Sequence, residues 1–180
     1  MLDQPVNAIL GLERGAVRLV PYTPAWAELF EDEKAKLSLA LKDWALDIQH
    51  IGSTAILGGV AKPIIDIAIA VADFDLANAC VPLVVGMGYE YQGENGIPRR
   101  HYFVRRNPAT THHIHMFEQE SRNWQDHILF RDYLRDHPEA VNEYTELKIR
   151  LAEEFRTDRE AYTNGKGEFI SRILVLANSK

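Results

Sequence analysis

One carboxylate interrupts a stretch that otherwise has the composition of a buried strand. Residues 64–71 are almost wholly apolar and rich in β-branched side chains, which is typical of a strand covered on both faces, and Asp66 lies among them. A buried carboxylate is costly unless it is paired, hydrogen-bonded or bound to a metal. Asp66 is therefore the first candidate metal ligand or catalytic group. The structural alternative is that it caps a neighbouring backbone amide.

The loop before this strand contains groups that can bind an anion. Gly52 allows a ligand to approach the backbone closely, Ser53 and Thr54 offer hydroxyl donors, and Lys62 adds a positive charge. These residues predict a phosphate-binding loop. A tight connection between two strands would use a similar sequence, so the alternative of a purely structural turn stays open.

A pair of histidines forms a second candidate site. Residues 99–105 and 112–118 are predicted to be the arms of a hairpin that turns near Asn107. Because side chains alternate along a strand, His113 and His115 share one face and can reach one metal ion. With a carboxylate they suit Zn²⁺ or Mn²⁺ better than Mg²⁺, and either imidazole could instead be a general acid or base. A half-buried sheet also tolerates histidine, which is the structural alternative.

Helices and one further strand must position these groups. Residues 46–51 are predicted to be a strand, and a first helix is predicted to begin at Pro24. Three late helices are expected to begin after Ser121 or Asn123, at Pro138 and at Asp158.

Two electrostatic predictions concern the helices. An acidic cluster early in the first helix is interpreted as a solvated face; its members are Glu28, Glu31, Asp32 and Glu33. The adjacent residues Arg131 and Asp132 are not expected to pair with each other, because neighbours along a helix point in different directions. Residues 1–14 are expected to be a loose lead-in or a short helix.

The sequence around Asp66 resembles a known superfamily. The pattern is similar to the signature of polymerase-β-type nucleotidyltransferases: Gly52 and Ser53 are followed, after twelve residues, by Asp66 in an apolar strand. The longer run HIGSTAILGGVAKPIIDIAIAV resembles the GrpB family, a branch of that superfamily. Further matching stretches are VRLVPYTPAW, HHIHMF and FRDYLRDHPEAVNEYTELK, with Tyr162 and Lys166 near the end. The resemblance covers about residues 17–175.

The resemblance implies an α+β fold, with a nucleotidyltransferase-type mixed β-sheet flanked by helices and a C-terminal helical bundle, in a single domain over residues 1–180. It implies that the Gly-Ser turn opens a short helix that holds phosphates. Arg131, Lys148 and Lys166 lie in matching stretches and are the further candidates for phosphate binding.

This sequence departs from the superfamily pattern at the carboxylates. The second carboxylate is expected two residues after Asp66, where the chain has Ala68, and the strand expected to carry the third reads His113-Ile114-His115. Two-metal phosphoryl or nucleotidyl transfer needs carboxylates that neutralise both ions. The expected cofactors are therefore one divalent ion (Mg²⁺, Mn²⁺ or Zn²⁺), held by Asp66, His113 and His115, and a nucleoside triphosphate.

Composition limits the partners. The apolar fraction of 46% and the charged fraction of 26% are those of an ordinary soluble domain. The net charge of −6 argues against nucleic acid and anionic membranes as partners. No signal peptide or membrane-length apolar run is evident, so a cytoplasmic location is expected. The sequence does not determine the oligomeric state.

Three functions fit these observations. The first is a transferase-like pocket for a nucleotide or another small phosphorylated ligand. The second is a non-catalytic binding or regulatory module, which Ala68 favours. The third is a metal-dependent hydrolase that uses Asp66, His113 and His115.

Overall fold

A five-stranded mixed sheet lies at the centre of the computed structural model, which describes residues 9–179. The order of its strands is β2-β4-β7-β6-β5, and β1 and β3 pair separately. In chain order the strands are β1 (Val20–Pro21), β2 (Ala45–Ile51), β3 (Val60–Ala61), β4 (Ile65–Val71), β5 (Glu90–Tyr91), β6 (His101–Arg106) and β7 (Thr110–Glu118).

The parallel pairing of β4 with β7 decides which polar side chains meet. Asp66 pairs with His113, and Ala68 pairs with His115. The other neighbours in the sheet are antiparallel, including the hairpin of β6 and β7. Since paired residues point to the same face of a sheet, Asp66 and the two histidines share a face.

Helices cover both faces of the sheet. They are α1 (Ala25–Ala40), α2 (Cys80–Gly86), α3 (Arg122–Asp136), α4 (Pro138–Glu154), α5 (Arg159–Asn164) and α6 (Gly167–Ala177), with 3₁₀ turns at Ser53–Ala55 and Leu76–Ala79. On one face α1 and α2 pack on the isoleucines of β4. On the other face Trp124 of α3 packs on Ala68, Ala70 and Phe117. Helices α3, α4 and α6 then form a second core around Tyr144 and Phe169.

Local signals explain where the late helices begin. The Ser121 hydroxyl accepts a hydrogen bond of 3.3 Å from the backbone N–H of Trp124, and Asp158 accepts one from Ala161. Pro138 is the first residue of α4. The predictions of an α+β fold with a mixed sheet, flanking helices and C-terminal helices are confirmed. The expectation for residues 1–14 falls mainly on residues 1–8, outside the described residues.

The interpretation of the acidic cluster as a solvated face is wrong at Glu33 alone, since its other three members are exposed, and the prediction for Arg131 and Asp132 is wrong. Glu33 is only 2% exposed, because the buried stripe of α1 runs through Phe30, Glu33 and Leu37 at helical spacing. Arg131 does pair with Asp132, at 2.7 Å between Nε and Oδ1, because the long arginine side chain can fold back along the helix surface. Within residues 9–179, no helix is both long enough and apolar enough to cross a bilayer.

Candidate functional site

Asp66 is the centre of a carboxylate–imidazole group. Its Oδ1 atom lies 2.9 Å from Nδ1 of His113 and 3.7 Å from Nε2 of His115. One ligand atom from each of the three residues lies within 4.8 Å of the others. The register of β4 with β7 creates this arrangement, since it brings Asp66 beside His113 and leaves His115 two residues further along the same face.

Each histidine meets an arginine on the side away from Asp66. Nη2 of Arg159 lies 3.4 Å from Nε2 of His113, and Nη1 of Arg100 lies 3.3 Å from Nδ1 of His115. A guanidinium group only donates hydrogen bonds, so these outer ring nitrogens are the acceptors. In the neutral rings, the proton therefore lies on the nitrogen that faces Asp66.

These contacts determine the charge of the centre at neutral pH. Burial by itself would raise the pKa of Asp66, but the hydrogen bond from His113 and the nearby imidazole of His115 outweigh it and hold that pKa well below its usual range. Burial lowers the pKa of His115, although Asp66 opposes the shift. The centre thus contains an ionised carboxylate and, at His115, a neutral imidazole.

The short distance between the backbone at position 52 and the Asp66 side chain requires glycine at this position. The backbone of Gly52 has φ 68° and ψ −174°, a region that only glycine occupies readily. A Cβ atom at this position would lie 2.5 Å from Oδ2 of Asp66, which is well inside van der Waals contact. The Gly-Ser turn therefore holds the loop directly against the carboxylate, and the one-turn 3₁₀ helix Ser53–Ala55 follows it.

The two hydroxyl groups of this loop have different partners. Thr54 is buried, and its hydroxyl donates to the carbonyl oxygen of Ile64 at 3.2 Å. It therefore accepts from Nε2 of His50 at 3.0 Å, which leaves it no hydrogen for a ligand. Ser53 is partly exposed and interacts with Tyr144: burial raises the pKa of Tyr144 to about 12, and the hydrogen bond with Ser53 opposes the rise.

A group of cations lies near Asp66. Nζ of Lys62 and Nζ of Lys166 lie 5.2 and 4.8 Å from the centre of the Tyr162 ring. Lys148 is 3% exposed and donates to the carbonyl oxygen of Val60. Together with Arg159, these three lysines form what we call the cation group. Across residues 9–179, none of the four lies within 4.0 Å of a carboxylate oxygen.

Crowding and burial disfavour the charged forms of these lysines. Burial lowers the pKa of Lys62 to about 7, with help from the charges of Lys166 and Arg159 and against the attraction of Asp66. Burial and Lys166 lower the pKa of Lys148 to about 7. Burial lowers the pKa of Lys166 itself to about 8, with Arg159 adding to the shift and Asp66 opposing it. A bound anion would relieve this repulsion.

Arg131 has a different role. Its guanidinium group binds Asp132, the side-chain oxygen of Gln49 at 2.7 Å and the carbonyl oxygen of His50 at 3.1 Å. These contacts join α3 to β2. The predicted residues that the structure does bring together around Asp66 are Gly52, Ser53, Lys62, His113, His115 and Lys166. Lys148 lies next to Lys166.

Sequence reasoning missed several residues around this centre. Arg159 follows the helix-capping Asp158 and carried no signal of its own. Tyr102 could have been found from strand alternation, because it pairs with His115 across the hairpin. The ring of His127 lies 5.6 Å from that of His115, and burial lowers its pKa to about 4. No pattern in the sequence places a residue of α3 beside β7.

The donor set fits one borderline transition-metal ion better than two Mg²⁺ ions. An oxygen and two imidazole nitrogens within 4.8 Å match the ligand types of Zn²⁺ or Mn²⁺. Ala68, which is fully buried and pairs with His115, offers no ligand where a second carboxylate would be needed. A metal ion at this centre would bind the ring nitrogens that face Asp66, so the ring protons would move to the outer nitrogens, and Arg159 and Arg100 would have to turn away from them.

Comparisons with known proteins agree on one family. Residues 16–175 match the model of the family described as GrpB protein. The chain is 41% identical over 154 residues to the UPF0157 protein YqkA of Bacillus subtilis; the match covers 86% of this chain and 45% of YqkA. It is 37% identical over 171 residues to the glutamate-rich protein GrpB of Alkalihalophilus pseudofirmus, with 92% and 98% covered.

A solved structure supports the same comparison. The crystal structure of the conserved protein GrpB from Enterococcus faecalis superposes with a TM-score of 0.83 at 34% sequence identity, covering 89% of this chain and 96% of that one. The chain thus spans less than half the length of YqkA and nearly the whole of the other two relatives.

Proposed function

We propose that this chain, which belongs to the GrpB family, binds a small phosphorylated ligand through the cation group and acts on it with His113 and Asp66. One observation carries the proposal: Lys62, Lys166 and Arg159, which have no carboxylate partner in the described chain, lie around a single ionised carboxylate. Lys148, next to Lys166, adds a fourth cation. The chain as a whole has a net charge of −6, so a concentration of uncompensated positive charge is not a general property of its surface. A ligand phosphate supplies the missing negative charge.

Each member of the pocket has a role in binding. Arg159 can offer a bidentate pair of hydrogen bonds to a phosphoryl group. Lys62 and Lys166, which both lie near the Tyr162 ring, contribute point charges. Lys148 donates a hydrogen bond to the carbonyl oxygen of Val60 and adds a further positive charge. Ser53 can donate a hydroxyl hydrogen bond, and Gly52 keeps the backbone close to the ligand. A nucleoside triphosphate is one ligand of this class.

The catalytic part of the proposal rests on the orientation of His113. Asp66 fixes the proton of the neutral ring on Nδ1, so Nε2 has the lone pair and can accept a proton from an attacking hydroxyl group. Asp66 then stabilises the imidazolium ion that forms. Arg159, now 3.4 Å from Nε2, would have to turn towards the phosphate for this step. We assign a transferase reaction on this basis: the hydroxyl oxygen bonds to phosphorus as the bond from phosphorus to the leaving group of the ligand breaks, and the imidazolium ion returns the proton to that leaving group. The reaction would take place in the cytoplasm, where phosphorylated metabolites are found.

A second candidate adds one divalent ion, held by Asp66, His113 and His115. The observation that favours it is the spacing of their ligand atoms, all within 4.8 Å. Such an ion supplies positive charge and a Lewis acid, which would suit hydrolysis as well as transfer. Elemental analysis of the purified protein, beside the double variant His113→Ala/His115→Ala, tests it. Stoichiometric metal that disappears in the double variant would support this candidate.

Calorimetric titration tests the main proposal. The ligands are inorganic phosphate, pyrophosphate and adenosine triphosphate, each titrated in EDTA and again with Mn²⁺. Removing one charged contact costs about 1.5–3 kcal/mol, so we expect Lys166→Met to weaken binding about 10- to 100-fold. The exposed Lys42→Met is the matched control and should bind normally. Absence of binding to all three anions, or an equal loss in both variants, would refute the cation group as a phosphate site. Binding without turnover would favour the regulatory module.

A further inference from the structure

We infer that the His115 side of the centre binds a hydroxyl group of the same ligand, so that the ligand is a phosphorylated sugar or polyol. This inference rests on the proposed function, because it assumes that the phosphate lies at the cation group. The His115 side consists of Arg100, Tyr102, His115 and His127. Two of these residues have hydrogen-bonding capacity that the described protein leaves unused.

Arg100 is a buried cation with donors to spare. The residue is 5% exposed, and in the described part of the chain no carboxylate oxygen lies within 4.0 Å of it. Its guanidinium group donates to the carbonyl oxygens of Glu94 and Asn95, at 3.2 and 2.8 Å, and to Nδ1 of His115 at 3.3 Å. A guanidinium group has five N–H bonds, so two remain for a ligand.

His127 provides an acceptor next to these donors. Its Nδ1 lies 2.6 Å from the carbonyl oxygen of Asn123, and a carbonyl only accepts, so the ring proton is on Nδ1. Nε2 therefore has a lone pair, which no group among residues 9–179 meets with a hydrogen bond. The ring also packs against β7, with its centroid 5.6 Å from that of His115 and 5.3 Å from that of Phe117.

A ligand hydroxyl group can satisfy both neighbours. It can accept a hydrogen bond from Arg100 and donate one to Nε2 of His127. A phosphoryl or carboxylate oxygen would suit Arg100, but it has no hydrogen to give to His127. Tyr102 encloses this side of the centre: its ring lies 5.6 and 5.1 Å from the rings of His113 and His115, and the guanidinium carbon of Arg100 lies 4.5 Å from the ring centre.

Calorimetry with matched probes tests the inference. Methyl phosphate has the phosphoryl group alone, whereas glycerol 3-phosphate, ribose 5-phosphate and glucose 6-phosphate add hydroxyl groups. We expect at least one of these three to bind at least 10-fold tighter than methyl phosphate. His127→Phe should abolish that advantage without changing the affinity for methyl phosphate, and His127→Gln, which keeps an acceptor, should restore part of it. Lys166→Met should weaken all four probes.

The outcomes separate this inference from the proposed function. If methyl phosphate binds but none of the three hydroxylated probes binds tighter, the hydroxyl site is wrong and the phosphate site stands. If His127→Phe weakens all probes equally, His127 is structural and the inference also fails. If no probe binds, both proposals fail. Circular dichroism verifies that each variant folds, and Arg100→Lys, which keeps the charge but loses two donors, replaces His127→Phe if that variant does not fold.

Discussion

Replacing Gly52 by alanine should displace the carboxylate at the centre of the site. The new Cβ atom would lie 2.5 Å from Oδ2, 3.0 Å from Cβ and 3.1 Å from Cγ of Asp66, so the side chain cannot stay where it is. The backbone at φ 68° and ψ −174° adds its own cost. Strain of this kind is worth about 1–3 kcal/mol, and overpacking about 1–3 kcal/mol more. We therefore expect Gly52→Ala to lower the free energy of unfolding by about 3–5 kcal/mol.

Gly58 provides the matched control. It also has a positive φ, 81°, but a Cβ atom there would have no neighbour within 4 Å. Gly58→Ala should therefore cost only the backbone term, about 1–2 kcal/mol. Urea unfolding of both variants, followed by circular dichroism, gives the comparison. Equal losses in the two variants would refute the argument that contact with Asp66 requires glycine at position 52.

A double-mutant cycle isolates the contact further. In an Asp66→Ala background the atoms at 2.5 and 3.1 Å are gone, and only the Cβ contact at 3.0 Å remains. Gly52→Ala should then cost less than it does in the wild type, with a coupling energy of about 1–2 kcal/mol. Additive losses would mean that the backbone conformation alone, rather than the carboxylate, excludes a side chain.

Three further predictions concern charges. Glu33→Gln leaves Arg105 without its buried counter-ion and should cost about 3–5 kcal/mol in urea unfolding, whereas the exposed Glu31→Gln should cost under about 0.5 kcal/mol. The pKa of Lys148, lowered to about 7, means that the unfolded chain binds more protons above that pH, so the unfolding free energy should rise from pH 7 to 10. Lys148→Met should flatten this rise, and an unchanged slope would contradict the assignment. The pKa of Asp66, held below its usual range, stabilises the fold above about pH 4, and this contribution is lost as the pH falls. Asp66→Asn should remove that part of the acid dependence, which unfolding between pH 2 and 6 would measure.

The centre of the site could be predicted because it depends on local rules. Alternation along β7 puts His113 and His115 on one face whatever the rest of the chain does. An acidic residue within an apolar strand singles out Asp66 in the same way. The resemblance to a known family supplied the expectation that the strand with the two histidines lies beside Asp66. The parallel pairing that brings the two strands together is seen only in the structure.

The remainder of the site depends on tertiary packing. Arg100, His127 and Arg159 come from a loop, from α3 and from the first turn of α5, and no periodicity relates these segments to one another. At Glu33, composition led to a wrong prediction of exposure. Its polarity indicated a solvated position, yet its place in the helical repeat between Phe30 and Leu37 buries it against Arg105. At that residue the geometry of the helix outweighed composition.

The alanine at position 68 and the cation group can be explained together. In a two-metal site, carboxylates exist to hold cations against a phosphate. The resemblance to nucleotidyltransferases implies a second carboxylate at position 68, where this chain has alanine, and the chain itself places Lys62, Lys166 and Arg159 around Asp66. Side-chain charges would then do for the phosphate what metal ions do in such sites, with one carboxylate left to orient His113. On this account phosphate affinity survives EDTA but falls as salt screens the cations, whereas a site that needs its metal loses affinity in EDTA at any ionic strength.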